Sequence, residues 1–272
     1  MSLKQTVFFV CMAVLLFLGA CKKETTDPSF IDIPVVQSYL VSGQVPTLNV
    51  SRMVPYSGTA IYSPDDINAL SVQITCNDTV HTLKPRGNGN YSDSTFLISK
   101  NGKYALSFVY NGKTVSATTS IPSKPVGYTQ SVDTMTIAQV TTTGGGGGFG
   151  GSTYRPNPIQ LNWSNTNASY YVVVVENIET NPLPINPDET SPPRIFRNQP
   201  TQGNQYQIQS RQFHYYGIHR LLLFHLNPDY AALYNNNGTN SQTLTNPATN
   251  LTNGLGIFTG LTADTLFMKI LP

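Results

Sequence analysis

The stretch Tyr104-Ala105-Leu106-Ser107-Phe108-Val109-Tyr110-Asn111-Gly112-Lys113-Thr114-Val115-Ser116-Ala117-Thr118-Thr119-Ser120-Ile121 decides the fold class. Large residues at 104, 106, 108 and 110 alternate with smaller or more polar ones, the period of a half-buried strand. Asn111-Gly112 then interrupts, and a second strand-like run follows to Ile121. Asn-Gly between two such runs is the strongest short hairpin signal, because a tight hairpin needs positive φ at both central residues.

Upstream, residues 34–41, 47–52, 70–76, 79–83 and 90–98 carry β-branched or alternating residues, and Asn77-Asp78 separates two of these runs as a turn pair. About seven short strands at this spacing predict an immunoglobulin-like sandwich over residues 33–122. Pro122 and Pro125 disfavour continuation, so a domain boundary is expected there.

A second domain is expected over residues 127–272. It opens at 128–140, breaks at a glycine-rich loop over 141–158, and resumes at 159–163 and 169–177. Residues 205–209, 217–226 and 265–270 read as later strands, and 235–253 as a long polar loop. Residues 228–235 suggest one or two helical turns, with Asn227 as a candidate cap before Pro228. Trp163, the single tryptophan, sits in an alternating strand and is expected between the sheets, with an exposed stacking platform as the alternative. The expected fold class is therefore all-β: two tandem immunoglobulin/fibronectin-III-like β-sandwiches, the second with a short helix and long loops.

Charged residues make up 11% of the chain, with 16 Lys and Arg against 14 Asp and Glu. That balance excludes the clustered positive charge of a nucleic-acid interface. Abundant Thr, Ser, Asn, Tyr, Gly and Pro suit sheets joined by many turns.

The N-terminus carries a different message. Lys4 precedes an apolar stretch over residues 7–18, and Leu18-Gly19-Ala20-Cys21 follows at once. A basic start, an apolar run and small residues at the cut make residues 1–20 a secretory signal. The run is shorter than the roughly 20 apolar residues a spanning helix needs. Leu18-Gly19-Ala20-Cys21 also resembles the bacterial lipobox, which implies cleavage between Ala20 and Cys21 and acylation of the Cys21 thiol. One acyl chain holds a protein only marginally, so the two or three chains of a lipoprotein matter for durable attachment. Residues 21–32 then form a lipidated polar tether. Lys22 is not the Asp of inner-membrane retention, and Lys23-Glu24 with Asp27 partly matches the surface-export signal of Bacteroidota lipoproteins. Cys11 leaves with the signal and Cys21 takes lipid, so Cys76 has no disulfide partner.

No catalytic constellation is found. The glycines at 144–148, 150 and 151 lead into Ser152-Thr153-Tyr154-Arg155-Pro156, without the Lys and helix of a phosphate loop. Gly150-Gly151-Ser152-Thr153-Tyr154 lacks the final glycine of a hydrolase elbow. His81, His214, His219 and His225 show no metal-ligand spacing; 214/219 and 219/225 are not expected to share a strand face. Asp65-Asp66 reads as turn chemistry. Catalytic, cofactor and metal residues are all expected to be none. Asp78-Thr79-Val80, Asp93-Ser94-Thr95, Asp133-Thr134-Met135 and Asp264-Thr265-Leu266 resemble the Bacteroidota O-glycosylation acceptor, making Thr79, Ser94, Thr134 and Thr265 candidate acceptors. The alternative is that Asp caps a turn at each strand entrance.

Several stretches together carry a wider resemblance. They are residues 33–40 (Ile-Pro-Val-Val-Gln-Ser-Tyr-Leu), 50–56 (Val-Ser-Arg-Met-Val-Pro-Tyr), Asn90-Tyr91, and Gly102-Lys103-Tyr104-Ala105-Leu106. Ser120-Ile121-Pro122, Asn227-Pro228-Asp229-Tyr230 and Asn250-Leu251-Thr252-Asn253-Gly254-Leu255-Gly256-Ile257-Phe258 complete the set. In this order they resemble an uncharacterised family of Bacteroidota outer-membrane lipoproteins with tandem β-sandwich domains, often encoded beside TonB-dependent transporters. The resemblance implies a lipid-anchored, non-enzymatic accessory or binding module, expected to face the cell surface, with an outer-membrane transporter or other envelope protein as partner. It implies no cofactor and no catalytic residue. The alternative expectation is a surface adhesin or glycan binder using exposed Phe149, Tyr154, Tyr215 and Tyr216. Mass spectrometry of the mature protein is expected to find a chain starting at acylated Cys21, and Cys21→Ser should abolish both the acylation and that cut.

Overall fold

The computed structural model describes residues 31–54, 65–140, 156–234 and 248–272. The expected signal sequence, the expected lipobox, the first part of the expected tether and the glycine run lie outside these residues. So do Phe149, Ser152 and Tyr154.

The fold is all-β, as the alternation predicts. In the first half the strands are β1 (Pro34–Val41), β2 (Thr47–Arg52), β3 (Gln73–Cys76), β4 (Thr79–Thr82), β5 (Lys84–Gly87), β6 (Asn90–Ser92), β7 (Lys103–Tyr110) and β8 (Lys113–Ser120). The second half has β9 (Val126–Gln130), β10 (Thr134–Thr136), β11 (Ile159–Ser164), β12 (Tyr170–Asn177), β13 (Ile195–Arg197), β14 (Gln205–Ile208), β15 (Gly217–Leu226) and β16 (Leu255–Leu271). Two short helices complete it, α1 (Asp65–Asn68) and α2 (Pro228–Ala232). The hairpin around Asn111-Gly112 forms in the expected register, from Lys103↔Ser120 to Tyr110↔Lys113, with both turn residues at positive φ.

Among the described residues the strands make three sheets. The largest has nine strands, ordered β13-β12-β15-β16-β1-β2-β6-β5 with β10 also on β16. The others are β4-β3-β7-β8 and β14-β11-β9. Two large hydrophobic cores result, and a smaller buried cluster of Val172, Leu226 and Leu261 lies on the opposite face of the large sheet. The first holds Val36, Leu40, Ile74, Tyr91, Leu106, Phe108 and Val115. The second holds Trp163, Tyr171, Val173, Val175, Leu221, Leu223, Met268 and Ile270.

The two halves are joined more closely than the expected boundary at residues 122–127 implies. β1 pairs in parallel with the start of β16, Val35↔Leu255 through Val41↔Leu261, and Leu251 and Phe258 pack in the first core. The rest of β16 pairs with β15, Leu226↔Leu261 through Gly217↔Ile270. The last strand is therefore 17 residues long, starting ten residues before the expected 265–270. Gly254, Gly256 and Gly260 weaken the local strand pattern ahead of residue 265.

Close approach of neighbouring backbone explains two of those glycines. Gly256 has φ +98°, and a methyl group built on it would overlap the Val36 carbonyl. At Gly260 the obstacle would be the Ser120 carbonyl. A Cβ at either position would push β16 off its neighbours.

Because side chains alternate along a strand, even-numbered Phe258, Met268 and Ile270 share one face of β16. Both small sheets therefore pack on the same side of the large one. Three further differences are local. Residues 93–98 turn away after Ser92 instead of extending β6, Asp65-Asp66 begins a helical turn, and β5 and β13 are short edge strands without apolar alternation.

Gly256→Ala is expected to cost about 1–3 kcal/mol, the range for a strained backbone position. Trp163, in the second core, reports whether that damage spreads. Its fluorescence transition in denaturant should move to lower concentration, whereas an unchanged Trp163 transition would mean that the halves unfold independently.

Candidate functional site

The feature best suited to a ligand is a cleft on the opposite face of the nine-stranded sheet. Along β12, Tyr171, Val173 and Val175 enter the second core, so Val172 and Val174 point the other way. Along β15, Leu221 and Leu223 enter the core, leaving Leu222, Phe224 and Leu226 outside it. With Tyr39 and Val41 from β1 and Leu261 from β16, these residues floor a cleft of about 710 Å³. One wall is Ile195, Phe196 and Arg197 of β13, and the other is Tyr230, Leu233 and Tyr234 at α2.

The aromatic rim is ordered by contacts among its own members. Tyr39 meets Tyr230 edge-on at 5.8 Å between ring centres, and Tyr230 lies 5.6 Å from Tyr234. Their hydroxyls are 3.2 Å apart. The Arg197 guanidinium sits 5.9 Å from the Tyr234 ring centre, a cation–π distance. Burial, and then the Tyr234 hydroxyl, push the Tyr230 phenol well above its ordinary value of 10.0, so it remains a neutral hydroxyl.

Two asparagines fix α2 over this face. Asn227 stands at the cap position, but its side chain does not cap the helix. Its amide nitrogen instead donates to Ser120 O at 2.7 Å, Thr119 Oγ1 at 3.1 Å and Gly260 O at 3.1 Å. Asn250 acts as a short piece of strand, donating to Phe258 O at 2.8 Å and accepting from Phe258 N at 3.0 Å. Its Nδ2 also reaches Asp229 Oδ2 at 3.1 Å. The Asn227-Pro228-Asp229-Tyr230 and Asn250–Phe258 motifs thus meet at one seam.

The remaining sequence candidates are dispersed. Thr79, Ser94 and Thr134 are exposed on separate elements, whereas Thr265 is half-buried within β16. At two of these motifs the aspartate holds backbone: Asp93 Oδ1 accepts from Thr95 N at 2.9 Å, and Asp264 Oδ1 from Thr265 N at 2.8 Å. Cys76 is buried in the first core. Trp163 is 4% exposed between the sheets and offers no platform. Tyr215 and Tyr216, expected to be exposed, are buried; their hydroxyls donate to Pro192 O and Ile137 O, each at 2.9 Å. The burial follows from their place between the η-turn Ser210–Gln212 and β15, where the chain enters the second core.

The histidines have separate partners. His81 stacks on Phe96, His214 Nδ1 lies 3.1 Å from Glu189, and His225 stacks on Tyr171 with Nδ1 2.7 Å from Ser123 O. His219 and His225 do share a face of β15, contrary to the expectation, yet six residues of strand, about 20 Å, separate them. Among the described residues no group of three or more His, Cys, Asp or Glu is placed to hold a metal ion.

The cleft was not foreseen, although a signal for it exists. Val172-Val173-Val174-Val175 and Leu221-Leu222-Leu223-Phe224 are unbroken apolar runs, the mark of strands covered on both faces. Comparison of the sequence with protein-family models returned no match, and comparison with curated proteins returned none.

His219 supplies a pH test of the second core. Its Nδ1 faces Gly217 O at 3.1 Å and its Nε2 faces the Asn177 amide nitrogen at 3.4 Å, which assigns the proton to Nδ1. Burial holds its pKa below the ordinary 6.5, although Gly217 O and the charge of Glu179 act the other way. The unfolded chain therefore binds more protons than the folded one as pH falls through 6.5, so stability drops. Chemical denaturation at about pH 7 and about pH 5 should show this loss, and His219→Gln should reduce its slope.

Proposed function

We propose that this chain is a lipid-anchored outer-membrane lipoprotein of the Bacteroidota type, facing the cell surface through acyl chains on Cys21. Its body serves as a non-enzymatic binding module for an envelope protein, and the resemblance suggests a TonB-dependent transporter. The observation that carries the binding role is the cleft itself. An apolar concavity of about 710 Å³ with an aromatic rim falls in the size range of ligand sites; Val174, Leu222 and Phe224 are half-exposed on its floor, over buried Val172, Leu226 and Leu261. Its aliphatic floor of Val172, Val174, Leu222 and Leu226 favours an apolar protein segment.

Glycan binding is the second reading. The observation that favours it is the Tyr39-Tyr230-Tyr234 cluster, since aromatic faces stack on sugars. The aliphatic floor offers few hydrogen bonds to sugar hydroxyls, so this reading ranks second. Thr79, Ser94 and Thr134, with exposed side chains, are the proposed O-glycosylation acceptors, with Thr265 the least accessible of the four.

Ile195 is 53% exposed and Tyr234 half-buried, so both tolerate surface substitution. Affinity isolation from solubilised outer membranes is expected to recover a transporter or other envelope protein with the native chain. Ile195→Glu with Tyr234→Ala should reduce that recovery at least about tenfold, as loss of a central interface anchor does, with Trp163 fluorescence unchanged. Recovery of no envelope partner, or equal recovery with the double variant, counts against this role. Glycan-array binding lost in Tyr39→Ala would favour the second reading.

A further inference from the structure

The first described residues are fixed firmly to one end of the body. Asp32 accepts from the Tyr110 hydroxyl at 2.9 and 2.8 Å and from Asn111 Nδ2 at 3.2 Å. The Arg52 guanidinium lies 3.6 Å from the same carboxylate and 3.1 Å from Asp66. Met53 N donates to Ile33 O at 3.0 Å. These contacts place the start of β1, the end of β2 and the β7–β8 turn side by side. The chain therefore enters the body at a defined end.

That end carries an apolar surface the fold does not use. Ile31 is 62% exposed, Val54 68% and Met53 37%, and Val109, beside the same turn, is 59% exposed. None belongs to a hydrophobic core. Arg52 lies between Asp32 and Asp66, with Asp65 beside them on α1 and Lys113 next to the β7–β8 turn, so acidic and basic side chains are interspersed at this end.

The length of chain in front of it names the occupant. Ten residues, 22–31, join Cys21 to Asp32, and they reach at most about 33–36 Å. β16 starts at this end, beside Val35, and runs away from it for 17 residues, about 55 Å of strand. This end alone is certain to lie within reach of the acyl chains, and it is the end with open apolar side chains. We infer that Ile31, Met53, Val54 and Val109 form a foot that rests in the headgroup region of the bilayer holding the Cys21 lipid. β16 then points away from the membrane and carries the cleft outward. This inference rests on the lipid anchor proposed above.

The test uses the full, mature, acylated protein in phosphatidylcholine vesicles, with a nitroxide on Val54→Cys or on Phe267→Cys. Phe267 is 54% exposed near the far end of β16. Labelling of the unsubstituted protein measures any background from buried Cys76, and Trp163 fluorescence verifies folding. The expected result is a Val54 label relaxed by oxygen in clear preference to a polar nickel chelate, several-fold more so than the Phe267 label. Equal preference at both positions, with acyl chains on Cys21 verified by mass spectrometry, overturns the foot and leaves the anchor standing. A Val54 label shielded from both reagents also overturns it, because the face then sits on protein. Absence of acyl chains on Cys21 removes the anchor and the foot together.

Discussion

The parallel pairing of β1 with the first part of β16 is the contact on which the rest of the molecule depends. Residues some 220 positions apart in sequence, Val35 and Leu255 among them, lie side by side. Parallel neighbours cannot be joined by a tight turn, so the remaining chain must travel around to bring β16 back. The pairing is tight enough that Gly256 has no space for a side chain beside Val36, and the approach of Ser120 leaves none at Gly260. Asn227 and Asn250 then bind backbone groups along the seam, satisfying polar groups that would be costly to bury unpaired.

One strand shared by two cores also creates the site. Had each half closed into its own sandwich, the outer faces of β1, β12 and β15 would belong to separate surfaces. Because β16 joins them in one sheet, Tyr39, Val172, Phe224 and Leu261 line a common floor. α2 follows β15 directly, and Asn227 pins its start to β8 and β16, so Tyr230 hangs over that floor. The cleft is thus a consequence of strand order, with each wall set by an edge element.

Much of this was legible in the sequence and some was not, for identifiable reasons. The strands β1, β2 and β15 were readable to their end residues, because alternation and turn residues act locally. The Asn111-Gly112 hairpin was readable for the same reason. Local pattern cannot say that two strands far apart in the chain are neighbours, so the sequence suggested a boundary at Pro122–Pro125 where the sheet is continuous through β1 and β16. Gly254, Gly256 and Gly260 also interrupt the local strand pattern, although close tertiary approach accounts for Gly256 and Gly260. Tyr215 and Tyr216 looked like surface aromatics because nothing local marks the turn that buries them. The apolar runs in β12 and β15 did announce two-sided burial, but their second face acquires meaning only once the sheet order is known.

The same long-range contact constrains how the chain is assembled. The first core needs Leu251 and Phe258, and β1 is flanked by β2 and β16. Everything up to residue 122 can emerge while one side of β1 still lacks its partner. Non-local pairings of this kind pay loop closure before any contact rewards it, and an unpaired edge strand is exposed to wrong partners meanwhile. Completion of the sheet by β16 is then the late step, and it fixes Asp32, the β7–β8 turn and the cleft in their relative positions at once. The end that holds Asp32 and the floor of the cleft are both positioned by a single closing strand.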